Sequence, residues 1–189
     1  MKDLIKLTLK VPLVHKNLIV IFFLLSFSQI NAQTNCDAKT YEIINAVFDS
    51  GETEIYETTL FEKGWARYFE DYKEIFDRVG IPTSISNDKL KEILGKEKLR
   101  YINSSIYGLK PCRLSTKHLN GNINLSSNFD RKNSISRGVF RISKPIIVED
   151  NIAILKTESI NESPIYILQK KDGKWEIIYT FYDWYILED

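Results

Sequence analysis

The chain has 189 residues, with 26 Lys and Arg against 25 Asp and Glu, 43% hydrophobic and 12% aromatic. That balance excludes a disordered tail, a collagenous repeat and a multi-span membrane protein. A domain of this size buries roughly 70% of its unfolded surface, so folding requires neither a metal nor a dense disulfide framework.

Residues 1–17 carry Lys2, Lys6, Lys10 and Lys16 with a single acid, Asp3, and the apolar run from Leu18 to Leu25 follows, then Ser26 to Ala32. A basic start, a short greasy stretch and a small residue at the end describe a secretory signal peptide cut after Ala32. The run is about half the ~20 apolar residues that a spanning anchor needs. Gln33-Thr34-Asn35 before Cys36 lacks the small and aliphatic residues a lipoprotein site requires. The expectation is one domain over 33–189, exported to the periplasm or medium, with no stable membrane insertion. Cleavage leaves a net charge of −2, His118 as the one histidine, and Cys36 and Cys112 as the two cysteines. In an oxidising compartment an even pair invites a disulfide. The alternative is two unrelated thiols, since Cys36 lies close to the new terminus.

Asp37 can cap a helix through Tyr41, Ile44, Val47 and Phe48, ended by Ser50-Gly51. Glu54 to Leu60 reads as a short strand or an irregular link. Trp65, Tyr68, Phe69, Tyr72, Ile75, Phe76 and Val79 recur at helical spacing, which predicts one amphipathic helix stopped by Gly80 and Pro82. A third helix starts at Ser86 and uses Leu90, Ile93 and Leu94, with Gly95 as an end or a break. From Lys96 to Asn133 the pattern loosens into turns and short extended pieces. Then the period becomes extended: Gly138–Ile142, Pro145–Glu149, Ile152–Glu158, Ile165–Lys170 and Lys174–Phe181. Asp172-Gly173 is the strongest hairpin signal, because the tight turn needs positive φ. Trp175, Ile177, Tyr179 and Phe181 are expected on one sheet face, under the helices. The predicted class is α+β, with N-terminal helices packed on a C-terminal antiparallel meander.

Ser143-Lys-Pro-Ile-Ile-Val148, Asp150, Ala153 and Tyr166-Ile-Leu-Gln-Lys-Lys-Asp-Gly-Lys-Trp175 carry a pattern. It resembles uncharacterised exported proteins of Bacteroidetes-type bacteria, which share a Ser-x-Pro strand and a C-terminal Gly-Lys-Trp hairpin. Such relatives often place Gly and Cys between the two strands, where this chain has Thr157 to Ser163. At fold level the hairpin is similar to those closing cystatin-like sheets of the nuclear transport factor 2 kind. That resemblance implies helices on a curved sheet with a cone-shaped pocket, and no activity.

Charge is segregated: residues 37–80 have net −6, 81–148 net +9 and 149–189 net −5. The simpler reading is internal neutralisation. The sharper one is a patch for an anionic partner, built from Arg113, Lys117, Arg131, Lys132, Arg137 and Arg141. No nucleophile elbow, phosphate loop or zinc motif occurs, so no metal and no cofactor is expected. His118 stands in a polar loop. Glu70, Asp71, Glu74 and Asp77 crowd the polar face of the second helix and read as solvated. The late aromatics read mainly as core. Of these, Tyr182, Trp184 and Tyr185 are the candidates for a ligand patch, because alternation breaks after Phe181. The expected function is a non-enzymatic exported module for a protein or small-molecule ligand, with no nucleic acid. The alternative is a secreted hydrolase working through carboxylates or His118.

Overall fold

The computed structural model describes residues 34–60, 62–78, 84–127 and 138–186, with Gly80, Ile81 and Tyr185 by backbone alone. The leader, 1–32, lies outside them. Helices α1 (Ala38–Val47), α2 (Tyr72–Phe76) and α3 (Asn87–Gly108) combine with 3₁₀ segments Gly64–Phe69 and Thr116–His118. The strands are β1 (Thr53–Tyr56), β2 (Gly80–Ile81), β3 (Ile123–Ser126), β4 (Val139–Ile142), β5 (Ile146–Val148), β6 (Ile152–Glu158), β7 (Glu162–Lys171) and β8 (Lys174–Tyr185). The fold is α+β, as the change of period along the chain predicts.

Asp37 caps α1, its carboxylate accepting from Thr40 N at 2.8 Å and Thr40 Oγ1 at 2.9 Å. The single helix expected over 65–79 is instead two pieces. Asp71 takes an extended backbone (φ −146°, ψ 151°) and accepts from Lys73 N, so it starts a new helix rather than continuing the old one. Before it, Trp65 and Tyr68, and Ala66 and Phe69, are all buried. Pairs three apart stack in register at three residues per turn, which suits the 3₁₀ form. The third helix also differs from expectation. Ser86 caps it as predicted, but the chain passes Gly95 and continues to Gly108, burying Leu99, Ile102 and Ile106. Gly95 has φ 55° and ψ 160°, a conformation reserved for glycine, and a Cβ there would meet no atom within 4 Å. Gly95→Ala is therefore expected to cost about 1–3 kcal/mol through the backbone alone. An unchanged urea midpoint would contradict that.

The sheet order is β2-β8-β7-β6-β4-β1-β3, with β5 also on β6. Strands β4 to β8 pair antiparallel, while β1 runs parallel to both β3 and β4. Asp172 (φ 48°) and Gly173 (φ 81°) make the tight turn between β7 and β8. On β8 the register changes between Tyr179, opposite Ile167, and Ile177, opposite Leu168, so Ile178 is an extra residue. This bulge corrects the expectation of one shared face. Trp175 and Ile177 pack with Ile43, Ala153, Leu155 and Leu168 on the α1 side. Tyr179 and Phe181 join Trp65, Tyr68, Phe69, Ile75 and Leu90 on the other side. Helices thus cover both faces, which is why six successive residues of β6 are buried.

A third cluster sets Tyr41 and Ile44 of α1 and its C-cap Phe48 against Ile55, Ile123 and Ile142, beside a Cys36–Cys112 disulfide. The disulfide holds the first described residues against the loop after α3, where Asn35 also bridges to Arg113. No helix among the described residues is long and apolar enough to cross a membrane.

Candidate functional site

Two places concentrate polar chemistry. The first lies where the apolar stripe of β6 runs out. Ile152 and Ile154 face the 3₁₀ segment's side, and Lys156 and Glu158 continue the same alternation. Arg141 on β4 stands opposite Glu158, and Asp183 follows Phe181 at a second register change on β8. Lys156 Nζ, only 4% exposed in its side chain, lies 2.8 Å from Asp183 Oδ2 and 3.6 Å from Glu62. Tyr68 donates its hydroxyl hydrogen to Asp183 Oδ1, and Arg67 donates to the Tyr68 oxygen at 2.7 Å. Arg78 donates to the Asp183 carbonyl at 3.0 Å and lies over the Tyr68 ring. Arg141 meets Glu158 at 3.4 Å and Glu62 at 3.6 Å.

These surroundings pull two carboxyls in opposite directions. Burial raises Glu158 above its ordinary value, helped by the charges of Glu62 and Asp183 and opposed by Arg141 and Lys156. Burial would raise Asp183 too, but hydrogen bonds from Lys156 and Tyr68 and the charges of Lys156 and Arg67 outweigh it and hold the carboxyl low. A raised acid contributes stability that is full below its unfolded value, 4.5 for Glu158, and is lost as pH rises through the folded value. From about pH 4 to about pH 7 the wild type is therefore expected to lose stability relative to Glu158→Gln, read as urea midpoints. A relative gain over that interval would contradict the assignment.

The second place is a groove of about 390 Å³ beside the disulfide. Tyr101, Ser105 and Gly108 line it from one side of α3, at spacings of four and three. Leu109, Lys110 and Cys112 from the following loop also line it, and Lys144, Pro145, Ile146 and Ile147 face them from the β4–β5 corner. Tyr101 is 52% exposed. Lys144 is held by Asp37 at 3.0 Å.

No family model, curated protein or solved structure matches this chain.

The residues singled out from sequence lie on several elements. Arg113 is exposed and pairs with Glu57 at 3.1 Å, Arg141 belongs to the ionic cluster, and Lys117 is exposed in its 3₁₀ turn. Arg131, Lys132 and Arg137 lie outside the described residues. Tyr182 and Trp184 are half-buried on either side of Asp183, and burial raises the Tyr182 hydroxyl. Nothing is described of the Tyr185 side chain. His118 is exposed, its ring 5.0 Å from Tyr41 and its carbonyl accepting from Asn45. Glu70 and Asp71 line a second hollow of about 280 Å³ with Tyr72, Lys96, Leu99 and Arg100. No group of three His, Cys, Asp or Glu among the described residues is arranged to hold a metal.

The sequence reading missed Lys156, Asp183, Glu62 and Tyr68. The signal for the first was the parity of Ile152, Ile154 and Lys156, which puts a lysine on a core face. It also missed the groove, because the helix that makes one wall was read as loop.

Proposed function

We propose that the protein is an exported, non-enzymatic binding module that takes its ligand in the groove between α3 and the β4–β5 corner. One observation carries this reading. A concavity of about 390 Å³ brings parts of Leu109, Pro145, Ile146 and Ile147 together with the polar groups of Tyr101, Ser105, Lys110 and Lys144. That volume falls within the range of small-molecule sites, which pair apolar surface with a few placed polar groups. Export is supported by the basic and apolar leader and by the Cys36–Cys112 bond. The test is saturation-transfer NMR with a pool of neutral, cationic and anionic aromatic fragments. Hits that vanish in Gly108→Trp, which adds an indole to the groove's wall, are expected. Hits indifferent to that substitution, or none, count against the reading.

A second reading, a hydrolase at the ionic cluster, is favoured by the opposed shifts of Glu158 and Asp183, which are the marks of an acid and a base at one site. Turnover of nitrophenyl esters or glycosides that disappears in Glu158→Gln would support it. No turnover by the wild type would count against it.

A further inference from the structure

The charges around the groove narrow what it takes. Its charged lining consists of Lys110 and Lys144, with no carboxylate among the lining residues. Asp37 approaches Lys144 Nζ to 3.0 Å and neutralises it, while Lys110 has no carboxylate partner among the described residues. One ammonium without a carboxylate partner among the described residues therefore lines a trough of mixed polar and apolar surface. An ammonium is a compact point charge, and the lining offers no arginine fork for a dianionic phosphate. Tyr101, half exposed above Ser105 and Gly108, presents a ring to whatever lies in the trough.

Resting on the binding reading above, we infer that the ligand is a small amphipathic monocarboxylate. Its head group pairs with Lys110, and its apolar body lies across Pro145, Ile146 and Ile147 beside Tyr101. A charged head alone would be held weakly at this exposed site, and an apolar body alone would leave the ammonium unused. The two together account for both halves of the lining.

Phenylacetate titrated into the ¹⁵N-labelled, oxidised protein is expected to shift the amides of Tyr101, Ser105, Leu109, Ile146 and Ile147. Phenylacetamide, the neutral counterpart, is expected to bind about threefold to fivefold more weakly. Lys110→Gln should erase that preference. Gly108→Trp should abolish the shifts from both compounds, because Gly108 lines the groove and a Cβ there meets no atom within 4 Å, so the side chain starts in open space. Equal binding of acid and amide, lost in Gly108→Trp, would overturn the anionic class while leaving the groove as a binding site. A preference that survives Lys110→Gln would overturn the head-group assignment. Shifts that persist in Gly108→Trp, or no shift with either compound, would overturn this inference and the binding reading together.

Discussion

Asp183→Ala is expected to lower the stability of the folded chain by about 3–5 kcal/mol, the cost of leaving a buried charge without its partner. Lys156 is 4% exposed in its side chain, and Asp183 is its nearest counter-charge at 2.8 Å. Glu62, 3.6 Å away and half exposed, is too distant to make the same hydrogen bond. The Tyr68 hydroxyl loses its acceptor in the same step. Combining Asp183→Ala with Lys156→Met removes the stranded ammonium, so the double variant should be more stable than the single one. The effect carries a pH signature of its own. Asp183 has a lowered folded pKa, so its contribution is full above its ordinary value of 3.8 and is lost as pH falls through the folded value. The difference between wild type and Asp183→Ala should therefore shrink in acid, the reverse of the trend for Glu158. Urea midpoints of the three proteins measure this, and a single-variant loss below about 1 kcal/mol would show the pair to behave as a surface ion pair.

The second large effect concerns Cys36 and Cys112. Their bond closes a sequence separation of 76 residues. Replacing both with Ala is expected to cost about 4.5 kcal/mol by the chain-entropy argument, less where the unfolded state retains structure. The loss should be local as well as global. Cys36 N donates to the Arg113 carbonyl at 3.0 Å and Arg113 N to the Thr34 carbonyl at 3.1 Å. These two amides should lose protection from hydrogen exchange first, and the groove beside Cys112 should loosen with them. An unchanged midpoint and unchanged exchange at Cys36 and Arg113 would contradict the tether.

What the sequence displays and what it hides differ for physical reasons. The β6–β7–β8 ribbon is legible because alternation and an Asp-Gly turn are local signals. The cap at Asp37, the cap at Ser86 and the interruption at Gly95 are legible for the same reason. The bulge is not. Ile177, Ile178 and Tyr179 are three apolar residues in a row, so nothing local says which of them is extra, and the register is set by β7. The split of 65–79 is hidden because Trp65, Tyr68, Phe69 and Tyr72 satisfy helical spacing as well as 3₁₀ spacing, and only Asp71 decides. The second half of α3 is hidden by Lys96 to Arg100, a charged run over a buried Leu99, Ile102 and Ile106 stripe.

The sites follow the same division. The basic middle of the chain is readable, but the carboxylates that meet it come from afar: Glu57 for Arg113, and Glu62 and Glu158 for Arg141. Glu158 and Lys156 look like the polar end of a strand until β8 brings Asp183 over them. The groove joins a helix wall to a strand corner about forty residues away, Tyr101 to Lys144, and no local pattern links them.

The most direct test of the account is a crystal structure of the oxidised protein grown with phenylacetate. The carboxylate is expected at Lys110 and the ring between Tyr101 and Ile146. Phenylacetate seated instead at Lys156, Glu158 and Asp183, with the groove empty, would contradict it.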